Sequence, residues 1–294
     1  MNGLRTDGRG WRDRGSALLI VLWSALVIAG LAAVVAGTVR TDLTVVRHQV
    51  AEAQARYLAQ AGVLHGVLLL LADGDPVLLN DTVVGFDEAD IRLHFADECG
   101  KVDLNTGWGD LLRRLVDGHA GDTAVAAAIL DWRDPDSASG PGGAEDAQYR
   151  AAGRTHGARN GPFESVAELQ QVLGVDARLM RALRSDVTVD CLNAGVDPLA
   201  ASDTVLAAIP GLGADARRTF LAARQSYVAA GLRGSAPQLA GGGRYVTGSH
   251  GLAVEIRADA PSPGGGAVSW RAVIWLTGDG GLPFLFRAWE RGGF

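Results

Sequence analysis

The stretch SALLIVLWSALVIAGLAAVVAG, residues 16–37, decides how the rest of the chain is read. It holds no charge and no proline, and it exceeds the roughly 20 apolar residues that cross a bilayer core as a helix. A backbone in lipid must satisfy its own hydrogen bonds, so the stretch is either a membrane helix or hidden inside an assembly. Directly before it, WRDRG (residues 11–15) ends a leader with four arginines, Arg5, Arg9, Arg12 and Arg14, against two aspartates. The positive-inside rule puts this leader in the cytoplasm and the chain beyond Gly37 across the membrane. A cleaved secretory signal would have a shorter apolar region, roughly 7–15 residues, and a small-x-small cleavage site. The residues AAVVAG give no clean Ala-x-Ala, whereas a plain single-pass anchor fits the stretch well.

Working outward, residues 38–71 contain no helix breaker. Their apolar positions recur at helical spacing: Val39, Leu43, Val46, Val50, Ala53, Tyr57, Ala61, Leu64, Leu68 and Leu71. Arg40, Asp42, Arg47, Glu52 and Arg56 fill the other faces. A single helix from Ser16 to Leu71 would be roughly 80 Å long at 1.5 Å per residue. A lone anchor needs no such extension.

A basic leader ending in Gly, an apolar helix and an amphipathic extension together resemble a type IV pilin or pseudopilin. The resemblance implies that a prepilin peptidase cuts between Gly15 and Ser16. Most members carry Glu at the fifth mature position, where this chain has Ile20. That departure, with RGSALLIVLW, VRTDL and LAQAG (residues 58–62), is similar to the K-type minor pseudopilin of type II secretion. The resemblance implies partners among the I- and J-type minor pseudopilins, a place at the tip of the pseudopilus and a role in protein export. It also implies a bacterial inner-membrane protein with a periplasmic C-terminal domain, structural and not an enzyme.

The 294 residues allow about two domains beyond the apolar helix, and a net charge of −6 argues against a general nucleic-acid surface. Lys101 is the only lysine. The two cysteines, Cys99 and Cys191, lie beyond the membrane segment, where an oxidising periplasm would let them pair; two separate buried thiols are the other reading. They flank the helical region at its entry and near its closing hairpin, and the expectation is a bridge. Its loop of about 90 residues would be worth roughly 4–5 kcal/mol by chain entropy.

Taken in order, residues 72–76, ADGDP, stop the long helix. Residues 90–96, DIRLHFA, alternate as a strand does. From residue 107 to about 234 the chain is Ala-rich and helical in pattern, over 111–116, 123–132, 166–173, 177–183, 202–208 and 214–230. Strands return at 252–258, 267–276 and 284–289, separated by APSPGGG and TGDGGLP. The expected fold is α+β: a long helix packed on a small sheet of three antiparallel strands, with a large all-helical insertion. The expected divisions are a leader (1–15), a membrane helix (16–37), its extension (38–72), a sheet region (73–98 with 240–294) and the insertion (99–239). GKVDLN, DWRDPD with GAEDAQY, RNGPFESVAEL, and LNAG with LAAIPGLG resemble successive segments of the K-type insertion.

Two constellations in the insertion bear on chemistry. The first is the glycine-rich acidic loop of residues 131–146, with Asp131, Asp134, Asp136, Glu145 and Asp146 around Gly140, Gly142 and Gly143. Asp134, Asp136 and Glu145 fall at EF-hand offsets one, three and twelve, yet Ala138 and Ser139 stand where that loop needs an oxygen ligand and Gly. It is no EF-hand. The residues alone leave a cation site and a solvated loop both open. The family resemblance implies calcium, with Asp134, Asp136, Glu145 and Asp146 as ligands. The second is IPGLG (residues 209–213), a helix-hairpin-helix signature followed by Arg217, Arg218 and Arg224. It supports a rival reading as a membrane-anchored DNA-binding protein of a competence system, against a reading as a packing hairpin. The six histidines show no paired spacing, and no nucleophile–base order points to catalysis.

Overall fold

The computed structural model describes residues 13–72, 74–86, 89–120, 123–262 and 265–292, with backbone alone for 13–16, 35–44 and 120. The leader's residues 1–12 lie outside the described residues, as do the side chains of Val39 and Leu43. The chain forms two compact units: residues up to Ala55 with Ser262–Gly266, and Arg56–Pro261 with Ala267 onward.

Helix α1 spans Asp13–Leu71; its residues up to Ala55 belong to the first unit and its last turns to the second. Residues Ala17–Val34 have a mean hydropathy of 2.6 and none is buried. This is the one segment among the described residues long and apolar enough to cross a membrane. The hydroxyl of Ser24 donates back to the Ile20 carbonyl at 2.6 Å, so its polar atoms need no solvent.

The second unit continues through α2 (Pro76–Leu79), β1 (Thr82–Phe86) and β2 (Ala89–Asp97). The insertion follows: β3 (Val102–Asp103), α3 (Gly109–Ala120), α4 (Thr123–Arg133), α5 (Asp146–Ala151), α6 (Ala177–Leu183), β4 (Val187–Thr188), α7 (Asp203–Ala208) and α8 (Ala214–Ala229). Then β5 (Ala253–Ser262), β6 (Gly266–Asp279) and β7 (Leu282–Gly292) complete a sheet of order β1-β2-β5-β6-β7. The sheet has five strands where three were expected: β2, β5, β6 and β7 fall on the four stretches that read as strands, and β1, TVVGF, is the one the pattern passed over. β2 pairs antiparallel with both β1 and β5.

Ile91, Leu93 and Phe95 alternate along β2 and meet Ile256 and Ala258 of β5, with Ile274 of β6 beside them. Each fully buried aliphatic side chain is worth roughly 1.5–3 kcal/mol before ordering costs. The last turns of α1 close this core with Ala59, Val63, Val67 and Leu70. Here the expected stripe is corrected. Tyr57, Leu64 and Leu68 are exposed at 62%, 48% and 62%. The buried face instead runs through Gly62 and Gly66, where a Cβ would come within 2.8 Å of Ile91 and of Ile256. Small residues let the helix lie close on the sheet, and a count of large apolar positions passes over them.

The insertion has its own core. Leu111, Leu112 and Leu115 of α3, Ala126 and Ile129 of α4, Leu183 of α6, Val205 and Leu206 of α7 and Phe220 of α8 are all buried in it. Helix α4 is buried on nearly every side, which its run of small residues permits. Two departures from the all-helical expectation stand out. Residues 166–171 form a 3-10 turn and not an α-helix. At the neck, β3 and β4 pair parallel, with Val102 N–H on the Asp186 carbonyl at 2.9 Å and Leu104 N–H on that of Thr188 at 2.8 Å. Two-residue strands carry no alternation that could announce them.

The neck binds the insertion to the sheet. Cys99 and Cys191 have Cα atoms 5.0 Å apart and their sulfurs at bonding distance, covered by Ala253 and Trp275. Asp103, fully buried, accepts from the backbone N–H groups of Asn105, Thr106 and Leu192. Lys101 reaches Glu98 at 2.6 Å and Glu255 of β5 at 3.9 Å, and the Glu98 carboxylate also holds the Thr188 hydroxyl.

Candidate functional site

The segments singled out in the sequence meet one another inside the insertion. Asn105 and Phe163 exchange two hydrogen bonds, side-chain amide to carbonyl at 3.0 Å and backbone N–H to amide oxygen at 2.7 Å. This ties GKVDLN to RNGPFESVAEL. Arg133 of α4 donates to the carbonyls of Leu104 at 2.5 Å and Gly107 at 2.9 Å. Trp132 packs among the rings of Tyr149, His156 and Phe163. The acidic loop is therefore hung between fixed points at the end of α4 and the start of α5.

Within that loop Asp131, on α4, is only 5% exposed and accepts the Gly140 N–H at 3.1 Å. The Gly140–Gly143 turn folds over it, closed by the Gly143 N–H on the Gly140 carbonyl at 2.9 Å. A Cβ on Gly143 would overlap the Asp131 carboxylate, so only glycine fits there. Glu145 is 3% exposed, yet neither of its carboxylate oxygens has a partner; one oxygen of Asp134 is likewise buried and unpartnered. Burial first, then the negative charges of Asp131, Asp134, Asp136 and Asp146, push the Glu145 carboxyl up to about 7. Burial and the charges of Asp136 and Asp131 push Asp134 up as well.

Of the four expected ligands, Glu145 has both carboxylate oxygens buried without a partner and Asp134 has one. Asp136 is exposed and turns one oxygen onto the Ala138 N–H at 2.8 Å. Asp146 is exposed at the head of α5 and lies against Gly157. Asp131 is the residue the ligand set left out. It was counted among the loop's acids but not among its ligands, and the Gly140–Gly143 turn is what brings its carboxylate into the loop. The donors are all hard oxygens, and buried orphaned carboxylate oxygens are costly unless a cation compensates them. A hard divalent cation fits this set. The loop acids are nevertheless less tightly gathered than Asp97, Asp197 and His250, whose ligand atoms all lie within 4.8 Å of one another.

The IPGLG turn joins α7 to α8, with Gly211 at φ +79°. Its arginines are engaged nearby: Arg217 with Asp203 at 3.4 Å, Arg218 with Asp215, and Arg224 with the carbonyls of Pro198, Leu199 and Ala201. Ile209 and Phe220 are buried beside them. The turn packs helices, and nothing in the structure favours DNA. Gly15 and Ser16 fall within the first residues of α1, whose helical backbone begins at Asp13, and Ile20 is 68% exposed.

Residues 101–190 match the family described as type II secretion system (T2SS), protein K. That match covers the first part of the inserted domain. The protein K match starts two residues after Cys99 and stops one before Cys191, so it fills the loop that the two cysteines close. In fold, the chain is similar to a chain of the crystal structure of the GspK-GspI-GspJ complex from the enterotoxigenic Escherichia coli type 2 secretion system. The TM-score is 0.59 at 17% identity, over 87% of this chain and 99% of that one. No curated protein matches the chain in sequence. The K-type resemblance read from the sequence is matched over residues 101–190, and the α+β fold is similar to that of the solved complex's chain.

Proposed function

We propose that this chain is a minor pseudopilin at the tip of a type II secretion pseudopilus, acting in protein export as a structural part and not as a catalyst. The observation that carries the reading is a protein K insertion on a fold whose first helix bears an apolar, wholly unburied stretch. That stretch would sit in the bacterial inner membrane, single-pass, with the leader cytoplasmic and the remainder periplasmic. Its partners would be I- and J-type minor pseudopilins, counterparts of the GspI and GspJ chains in the similar complex. Ile20 suits a terminal subunit: a carboxylate there with no neighbouring amine would cost several kcal/mol in an apolar setting. The acidic loop would hold calcium through Glu145, Asp134 and Asp131, with Asp136 and Asp146 at its margin. Cys99 and Cys191 would form a disulfide in the periplasm.

Membrane-extracted protein tests the reading by N-terminal sequencing. A prepilin peptidase should leave Ser16 first, and Gly15→Leu should block that cut. An intact Met1, or a cut near Gly37, would remove the pilin-type assembly route.

A further inference from the structure

Beside the disulfide, four side chains from distant parts of the sequence converge. Asp75 caps α2, Asp97 ends β2, Asp197 follows the second cysteine, and His250 lies on the return to β5. Asp97 and Asp197 are 6% and 2% exposed. His250 Nε2 meets Asp75 at 2.9 Å, while Nδ1 faces both Asp197, in a short contact, and Asp97 at 3.3 Å. Each carboxylate is also pinned by backbone: Asp75 by Val77 N–H, Asp97 by Cys99 and Gly251 N–H, Asp197 by Leu199 N–H. Three carboxylates thus share one imidazole. The nearby cation Arg224 is spent on carbonyls of residues 198–201.

We propose that Asp97, Asp197 and His250 bind one divalent transition-metal ion of the zinc class, with Asp75 holding the imidazole in place. The arrangement follows the chemistry of such sites. A ligating histidine commonly donates its second ring N–H to a carboxylate, which fixes the ring and its tautomer. Asp75 takes Nε2 in that way and leaves Nδ1 directed at two buried carboxylate oxygens. One nitrogen and two oxygens suit zinc at about 2.0–2.2 Å, with a water completing four-coordination. The metal takes the place of the Nδ1 proton, which leaves to solvent, so the excess negative charge of the cluster is reduced on binding. Access is open. The His250 side chain is 24% exposed, and a cleft of about 340 Å³, lined by Asp97, Lys101 and Arg224 among others, adjoins the site. The ion would lock the insertion to the sheet, a second clasp beside Cys99 and Cys191.

The test uses the full chain in detergent, stripped with chelator and dialysed against zinc chloride alone. Wild type should retain one zinc per chain at this site, in addition to any ion on the acidic loop. His250→Gln and Asp197→Asn should each lose that zinc. Asp75→Asn should weaken it about 10–100-fold. Glu145→Gln, in the acidic loop, should keep it. Zinc X-ray absorption of wild type should show an imidazole in a nitrogen–oxygen shell without sulfur, a readout that needs no variant to fold. A wild type that retains no zinc, a spectrum without imidazole, or zinc retained unchanged by His250→Gln would overturn the proposal.

Discussion

At the neck, Asp75, Asp97 and Asp197 share His250 and at least one backbone N–H each; in the acidic loop, Glu145 has neither a cation nor a hydrogen bond to either oxygen. Arg133, at the end of α4, is spent on the carbonyls of Leu104 and Gly107, and Arg150 on the carbonyl of Asp146. Both regions bury carboxylates, but the neck holds each of its own on His250 and a backbone N–H, and the loop gives Glu145 neither. A buried acid held in this way is fixed in position whether or not an ion joins it. One that is left uncompensated calls for something from outside, because an unpaired buried charge costs several kcal/mol.

The largest expected effect is at the neck. Cutting the bridge with reductant, or by replacing Cys99 and Cys191 with Ser, should lower stability by roughly 4–5 kcal/mol. Urea unfolding of the whole chain measures it, and an unchanged midpoint would remove the covalent part of the contrast. A smaller effect belongs to the loop. Calcium at about 100-fold excess over its Kd should add roughly 2.7 kcal/mol, seen as a fall of several degrees in Tm when chelator is added. A Tm indifferent to chelator, with no calcium by elemental analysis, would make the loop merely solvated. The smallest effect carries the sharpest sign. In chelator, Glu145→Gln should raise stability by about 1 kcal/mol, because it removes a buried charge that has no partner. With calcium present the same change should lower stability. Destabilisation in both conditions would mean that Glu145 is compensated after all.

How far the sequence revealed these regions follows from their physics. Helices were readable from pattern: α4, α6 and α8 begin where it puts them, and at α6 the Asp176 side chain caps the start by accepting the Leu179 N–H at 2.7 Å. The buried face of α1 was not readable, because Gly62 and Gly66 contribute closeness and no apolar bulk. The loop acids were found by crowding along the chain, and their environment, above all that of Asp131, was not. The neck cluster left no trace in spacing: Asp75 and His250 are 175 residues apart and meet only because the insertion begins and ends at one place. Local periodicity reports elements, whereas the points where a chain leaves and re-enters a sheet are set by topology.

Lys101 carries a further consequence for handling the molecule. As the chain's only lysine, it offers a lysine-specific protease a single place to cut, and its amine is held by Glu98 and Glu255 with the side chain 17% exposed. The folded neck therefore shields the site, and a scission there reports that the entry to the insertion has opened. Because the cut falls between Cys99 and Cys191, the two fragments would stay tethered until a thiol frees them. One protease thus reads both the opening of the neck and the state of its sulfur link.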